Sequence, residues 1–208
     1  MSATARSGSS TWEVRAGIQT RNEPDQGSKR MRFVAARHFT PGPVPMRPIR
    51  LVCLHSMESL ERPDTAENVA AWFAGADAPQ ASAHYLIDAD SIVQAVKDED
   101  IAWAAPGANR DGIHIELAGK AAQTSEQWLD GYSLSVLSLA AALTADLCRK
   151  YRIPVHEVGA SGLLIGARGI TTHAAVSQAF KKSTHTDPGE AFPLNAFVEM
   201  VRKREIPA

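Results

Sequence analysis

Ile49-Arg50-Leu51-Val52-Cys53-Leu54-His55 is the stretch that decides the fold. It is a nearly continuous apolar run, the pattern of a central strand buried on both faces and typical of parallel sheets. Downstream, Thr65 opens a helix as its N-cap, with Val69, Trp72 and Phe73 at three-to-four spacing on one side. Ala83 to Ile87 and Ile92 to Val96 read as two short strands joined by the turn Asp88-Ala89-Asp90-Ser91. Ile113 to Ala118 is another strand. Val136, Ala140, Leu143 and Leu147 recur at helical spacing, so residues 133 to 150 form a core-facing helix that Pro154 cannot continue. Gly169 to Thr172 reads as the last strand, leading into His173, and Phe197, Val198 and Val201 mark a closing helix from about Pro193. The sum is one α/β domain, a mixed central sheet flanked by helices.

Upstream of the run, Pro41, Pro43, Pro45 and Pro48 punctuate a loop. Residues 1–30 are rich in Ser, Gly, Thr and Arg without an apolar period, which suits a flexible leader ahead of a folded domain over residues 31–208. Length allows one such domain plus a tail, or at a stretch two small ones. With 44% hydrophobic and 22% charged residues the composition is that of a globular protein, and a net charge of -1 argues against a nucleic-acid binder with a uniformly basic surface. No apolar run in the linear sequence approaches the ~20 residues of a membrane span, so no membrane insertion is expected. Nor does the N-terminus show the apolar core of a signal peptide. Cys53 and Cys148 make no disulfide framework and read as buried free thiols.

The chemistry-bearing residues are His55 at a strand end, His173, and the run His185-Thr186-Asp187-Pro188-Gly189. Catalytic zinc takes three protein ligands of these types and keeps a fourth position for water, whose pKa it lowers to about 7. Their spacing alone does not announce a metal site; an isolated strand-end His or a turn-starting Asp is usually structural. Cys53 shares a strand face with His55 and is a further donor of suitable type. In the strand at 113–118, Ile113, Ile115 and Leu117 define an apolar face, which leaves His114, Glu116 and Ala118 on the other.

Five segments, in order, carry a resemblance: Arg50 to His55, Ser82 to Asp88, Gly112 to Gly119, Gly169 to His173, and Thr186 to Pro193. Together they resemble the zinc N-acetylmuramoyl-L-alanine amidases of the type-2, peptidoglycan-recognition-protein-like class, and look most like phage endolysins that lyse actinobacterial hosts. The resemblance spans about residues 33–204. It implies one zinc per chain held by His55, His173 and Asp187, with Cys53 off the metal. It further implies Glu116 as general acid and base, and His185 as oxyanion donor where many relatives carry Lys. A histidine there lends activity a pH dependence that a lysine would not.

The resemblance gives His84 as a recurrent histidine beside the cleft, in contact with substrate or supporting the site. Trp103, Asn109 and Arg110 are by residue type candidate substrate contacts at the cleft rim, or else part of a loop anchored by a buried Trp. His114 stands where relatives often have a small residue; about 6.6 Å along the strand from Glu116, it orients Glu116, lines the peptide subsite or simply packs. Relatives commonly carry a His where this chain has Ala104. The implied substrate is peptidoglycan, cut between N-acetylmuramic acid and L-alanine by a monomer that waits in the host cytoplasm until a separate pore protein releases it. Two other readings stand beside this one: a peptidase cutting within the stem peptide, and a non-catalytic peptidoglycan-recognition module. The module is disfavoured because such proteins typically lack the third ligand, here Asp187.

Overall fold

The computed structural model describes residues 31–205; the expected leader over residues 1–30 lies outside them. The described residues begin with two short strands, β1 (Arg32–Phe33) and β2 (Phe39–Thr40). The apolar run becomes β3 (Leu51–Ser56), every residue of which is buried. Helix α1 (Thr65–Ala74) follows, then β4 (Tyr85–Ile87), β5 (Ile92–Gln94), β6 (Ile101–Ala102) and β7 (Gly112–Leu117). The remainder is helical around one strand: α2 (Ser125–Trp128), α3 (Gly131–Tyr151), α4 (Ala160–Leu164), β8 (Gly169–Thr172), α5 (His173–Phe180) and α6 (Leu194–Glu205).

Among the described residues, six strands make the main sheet in the order β1-β5-β4-β7-β3-β8, and β2 pairs with β6 apart from it. The central strands β4, β7, β3 and β8 run parallel, while β5 returns antiparallel to β4. The sheet is therefore mixed, as the sequence predicts. Alternation along β3 sorts its side chains: Val52 and Leu54 join the core under α3 and α6, whereas Leu51 and Cys53 pack toward α4 and α5. Ala66, Ala70 and Phe73 of α1 cover Leu86 and Val93 further along that second face.

Three local expectations need correction. Asp64, not Thr65, is the N-cap of α1; Thr65 lies inside the helix and donates its hydroxyl to the Leu60 carbonyl at 2.8 Å. The face that α1 buries is Ala66, Ala70 and Phe73, whereas Trp72 is 55% exposed. The strands of the hairpin are also shorter than the apolar pattern suggests. The turn between them also anchors α1. Asp88 accepts from Asp90 N, Ser91 N and Ser91 Oγ through Oδ1, and from Ala66 N at the start of that helix through Oδ2.

Helix α3 is, at 21 residues, long and apolar enough to span a bilayer by length and composition, which the linear reading missed. Its apolar stripe, Val136, Ala140, Leu143 and Leu147, is buried in the main core, the placement of a core helix. Asp130 caps it by accepting from Ser133 N at 2.8 Å, and Arg152 ends it in the left-handed conformation.

Candidate active site

In a parallel sheet the cleft forms beyond the carboxyl ends of the strands. Here β3 delivers His55 at that end, β7 delivers Glu116, and β8 runs into His173, the first residue of α5. The β3–β7 register pairs His55 with Glu116 and Cys53 with His114. These four side chains share the face opposite α3. Asp187 arrives on the loop after α5 and is tied to that helix by its carbonyl, which accepts from Ala174 N at 2.9 Å.

His55 Nδ1 stands 3.2 Å from Asp187 Oδ2 and His173 Nδ1 stands 3.1 Å from Asp187 Oδ1. Donor atoms of all three lie within 4.8 Å of one another, and the residues are 2%, 3% and 6% exposed. Burial disfavours ionised Asp187, but hydrogen bonds from His173 and His55 outweigh it and hold the carboxyl far below its usual range. Burial pushes His55 the other way, toward the neutral imidazole that a metal requires. Two imidazoles and a carboxylate beside an open cleft fit the zinc donor set.

A second group of possible donors, Cys53, His55 and His114, lies as close together. It suits a metal less well. Burial, with Asp187 and Glu116 nearby, pushes the Cys53 thiol well up, which opposes the thiolate that would ligate. His55 Nε2 and His114 Nδ1 are already hydrogen-bonded to each other at 3.0 Å.

The cleft, about 190 Å³, is lined by His55, Glu116, His173, His185 and Asp187, together with Phe73, Ser82, Trp103 and Ala104. Glu116 Oε1 is 3.9 Å from His55 Nδ1. Burial, with Asp187 and Glu58 beside it, raises the Glu116 carboxyl well above its ordinary range. His185 is exposed, stacks on His173 with ring centroids 4.4 Å apart, and places Nδ1 3.5 Å from Asp187 Oδ1.

Of the expected substrate contacts, only Trp103 lines this cleft, with its indole N–H donating to Thr40 Oγ1 at 2.9 Å. His84 and His114 are both 0% exposed, so neither offers substrate a surface. Asn109 turns inward, its Oδ1 accepting from Ala104 N and Ala105 N at 3.1 and 2.6 Å, and braces the loop that carries Trp103. Arg110 is exposed outside the cleft lining, and its carbonyl accepts from the buried Arg47.

Glu58 is a cleft-lining residue that the sequence does not mark. It has φ 52, a left-handed conformation sparsely adopted by non-glycine residues, and its Oε1 accepts from Ser56 Oγ and Ala121 N, each at 2.7 Å. It lines both the catalytic cleft and an adjoining hollow of about 220 Å³ beside His185 and Asp187. Its place just beyond a parallel strand's carboxyl end was the available signal. Gly189 allows the Ala121 loop to close on this corner: at φ +98, a Cβ there would meet the Ala121 carbonyl oxygen.

Residues 45–190 match the profile of the Amidase_2 family, N-acetylmuramoyl-L-alanine amidase. The chain belongs to this family, and it is an enzyme of that class, a hydrolase of a peptidoglycan amide. No protein of curated function matches the sequence significantly. Among solved structures, the Staphylococcus aureus hydrolase AmiA in complex with its ligand is similar, with TM-score 0.62 and 15% identity over 86% of this chain and 88% of that one. The N-acetylmuramoyl-L-alanine amidase LysC from Clostridium intestinale gives 0.55 and 15%, covering 83% and 97%. A mutant endolysin from Bacillus subtilis gives 0.51 and 16%, covering 82% and 99%. At these identities the likeness speaks for the fold.

Proposed function

We propose that the enzyme is zinc-dependent, with one ion held by His55, His173 and Asp187, and that it cuts between N-acetylmuramic acid and L-alanine as a monomeric phage endolysin. The observation that carries the metal reading is the buried donor triad lining the cleft. When bound, zinc would activate water at neutral pH and polarise the scissile carbonyl.

The chain's own residues do the rest. Glu116 takes the proton from the attacking water and hands it to the departing alanine nitrogen, which its raised pKa favours. His185, exposed over the cleft, donates to the carbonyl oxygen as negative charge develops there. Trp103 offers an aromatic wall to the sugar or peptide. Asp187, as the third donor, argues for an enzyme rather than a recognition module.

The endolysin role, actinobacterial hosts and release from the host cytoplasm through a separate pore protein rest on the sequence resemblance; the fold shared with the Bacillus subtilis endolysin agrees with that role. Metal analysis tests the cofactor. The purified chain should carry one zinc, lose activity on chelation and regain it with zinc. Full activity in chelator-treated, zinc-free protein would refute the reading.

A further inference from the structure

Four buried groups, Arg47, His84, His114 and His55, stand in a row that ends at the cleft. Arg47, 1% exposed, donates to the carbonyls of Asp98, Asp100, Arg110 and Gly112. Its guanidinium also packs 2.9 Å from His84 Nε2. His84 Nδ1 accepts the backbone N–H of His114 at 3.0 Å, which fixes the strand position of His114 from behind. The His114 ring then points at His55, Nδ1 to Nε2, at 3.0 Å.

This geometry leaves the His114–His55 pair two ways to share its protons. When His55 Nδ1 carries a proton toward Asp187, its Nε2 is a bare acceptor and His114 Nδ1 must donate. When His55 Nδ1 gives its lone pair to a cation, the imidazole proton sits on Nε2 and His114 Nδ1 must accept. The second arrangement moves the His114 proton to Nε2, and that atom is buried with no hydrogen-bond partner among the described residues. A fixed donor or acceptor there would lock the ring in one tautomer. Gly112 keeps the space open: a Cβ at that residue would stand 3.1 Å from His114 Nε2.

We propose that His114 is a positioning residue that sets the tautomer and orientation of His55, accepting from its Nε2 so that Nδ1 faces His173 and Asp187 as a metal ligand. This rests on the zinc reading above. Outer groups that orient a metal-binding His typically change metal affinity ~10–100-fold when removed.

The test uses zinc chloride with the full chain. Zinc affinity is measured by competition with a chromogenic chelator for wild type, His114→Phe and His114→Asn, with circular dichroism to verify folding. His114→Phe should bind zinc ~10–100-fold more weakly. His114→Asn, whose amide oxygen can accept in place of Nδ1, should recover most of that loss. Long-range proton–nitrogen NMR of zinc-loaded wild type should show His114 protonated on Nε2 and bare on Nδ1, a readout independent of whether either variant folds. Unchanged affinity in folded His114→Phe, or a protonated His114 Nδ1 in the zinc-loaded chain, would overturn the proposal. A wild-type chain that takes up no zinc would instead overturn the metal reading beneath it.

Discussion

His55 and Glu116 are register partners on adjacent parallel strands, and their side chains leave the same face with Nδ1 and Oε1 3.9 Å apart. The sheet itself thus fixes a candidate metal ligand beside a candidate proton carrier. Neither depends on a mobile loop for its position, as precise chemistry favours.

Glu116→Gln should therefore keep the fold and the zinc while losing activity. General acid–base groups typically contribute ~10²–10⁴-fold, and a loss of that size in turnover is expected. Zinc content and turnover of the same preparation check this; loss of zinc along with activity would make Glu116 a ligand instead.

His185→Ala should lower turnover by ~10²–10³-fold, the usual cost of one oxyanion donor, with zinc retained. His185→Lys should restore part of the rate, because a lysine ammonium can donate from the same place. Steady-state kinetics of the two variants decide the matter. Equal rates for wild type and His185→Ala would make the residue a bystander.

Glu58→Gln should move the acid limb of the rate profile. Burial, Asp187 and Glu58 all raise the Glu116 carboxyl. A base works ionised, so activity falls as pH drops through its pKa. Removing the Glu58 charge lets Glu116 ionise at lower pH, and the acid limb should shift to lower pH, while the amide oxygen can still accept from Ser56 and Ala121. An unmoved limb would show that another group controls it.

Away from the cleft, Asp98 accepts from Tyr85 and Tyr151 hydroxyls and from Lys150 Nζ, at 2.5, 2.6 and 2.8 Å. Burial alone would raise its pKa, but these bonds more than offset that and hold it below the ordinary value. A depressed carboxyl contributes stability above its unfolded pKa of about 4, lost as pH falls through the folded value. Asp98→Asn should cost ~1–3 kcal/mol at neutral pH. The gap between wild type and variant should narrow in acid. Denaturant unfolding at several pH values measures it, and a gap independent of pH would rule out an ionised Asp98 as the source.

Much of this was legible in the sequence because it depends on local pattern. The run at 49–55, the stripe Val136-Ala140-Leu143-Leu147 and the strand at 169–172 are set by burial on one or two faces, and periodicity reports burial directly. Side-chain partners are another matter. His84 and His114 look like cleft residues in one dimension because they sit beside cleft residues. Only the stacking of β4, β7 and β3 shows that His114 is spent on His55 and His84 on the His114 backbone. Arg47 was invisible for the same reason: its partners are carbonyls 51 to 65 residues away, and carbonyls have no sequence signature. Glu58 owes its position to a left-handed backbone that no composition rule marks.

The central claim, that a metal held by His55, His173 and Asp187 drives cleavage of the muramoyl amide, is tested most directly by mass spectrometry of structurally defined muropeptides. These are digested by zinc-loaded wild type, chelator-treated wild type and His173→Ala. The account predicts stem peptides with a free L-alanine N-terminus from the zinc-loaded enzyme alone. Fragments cut only within the stem peptide, or the same products from metal-free protein, would contradict it.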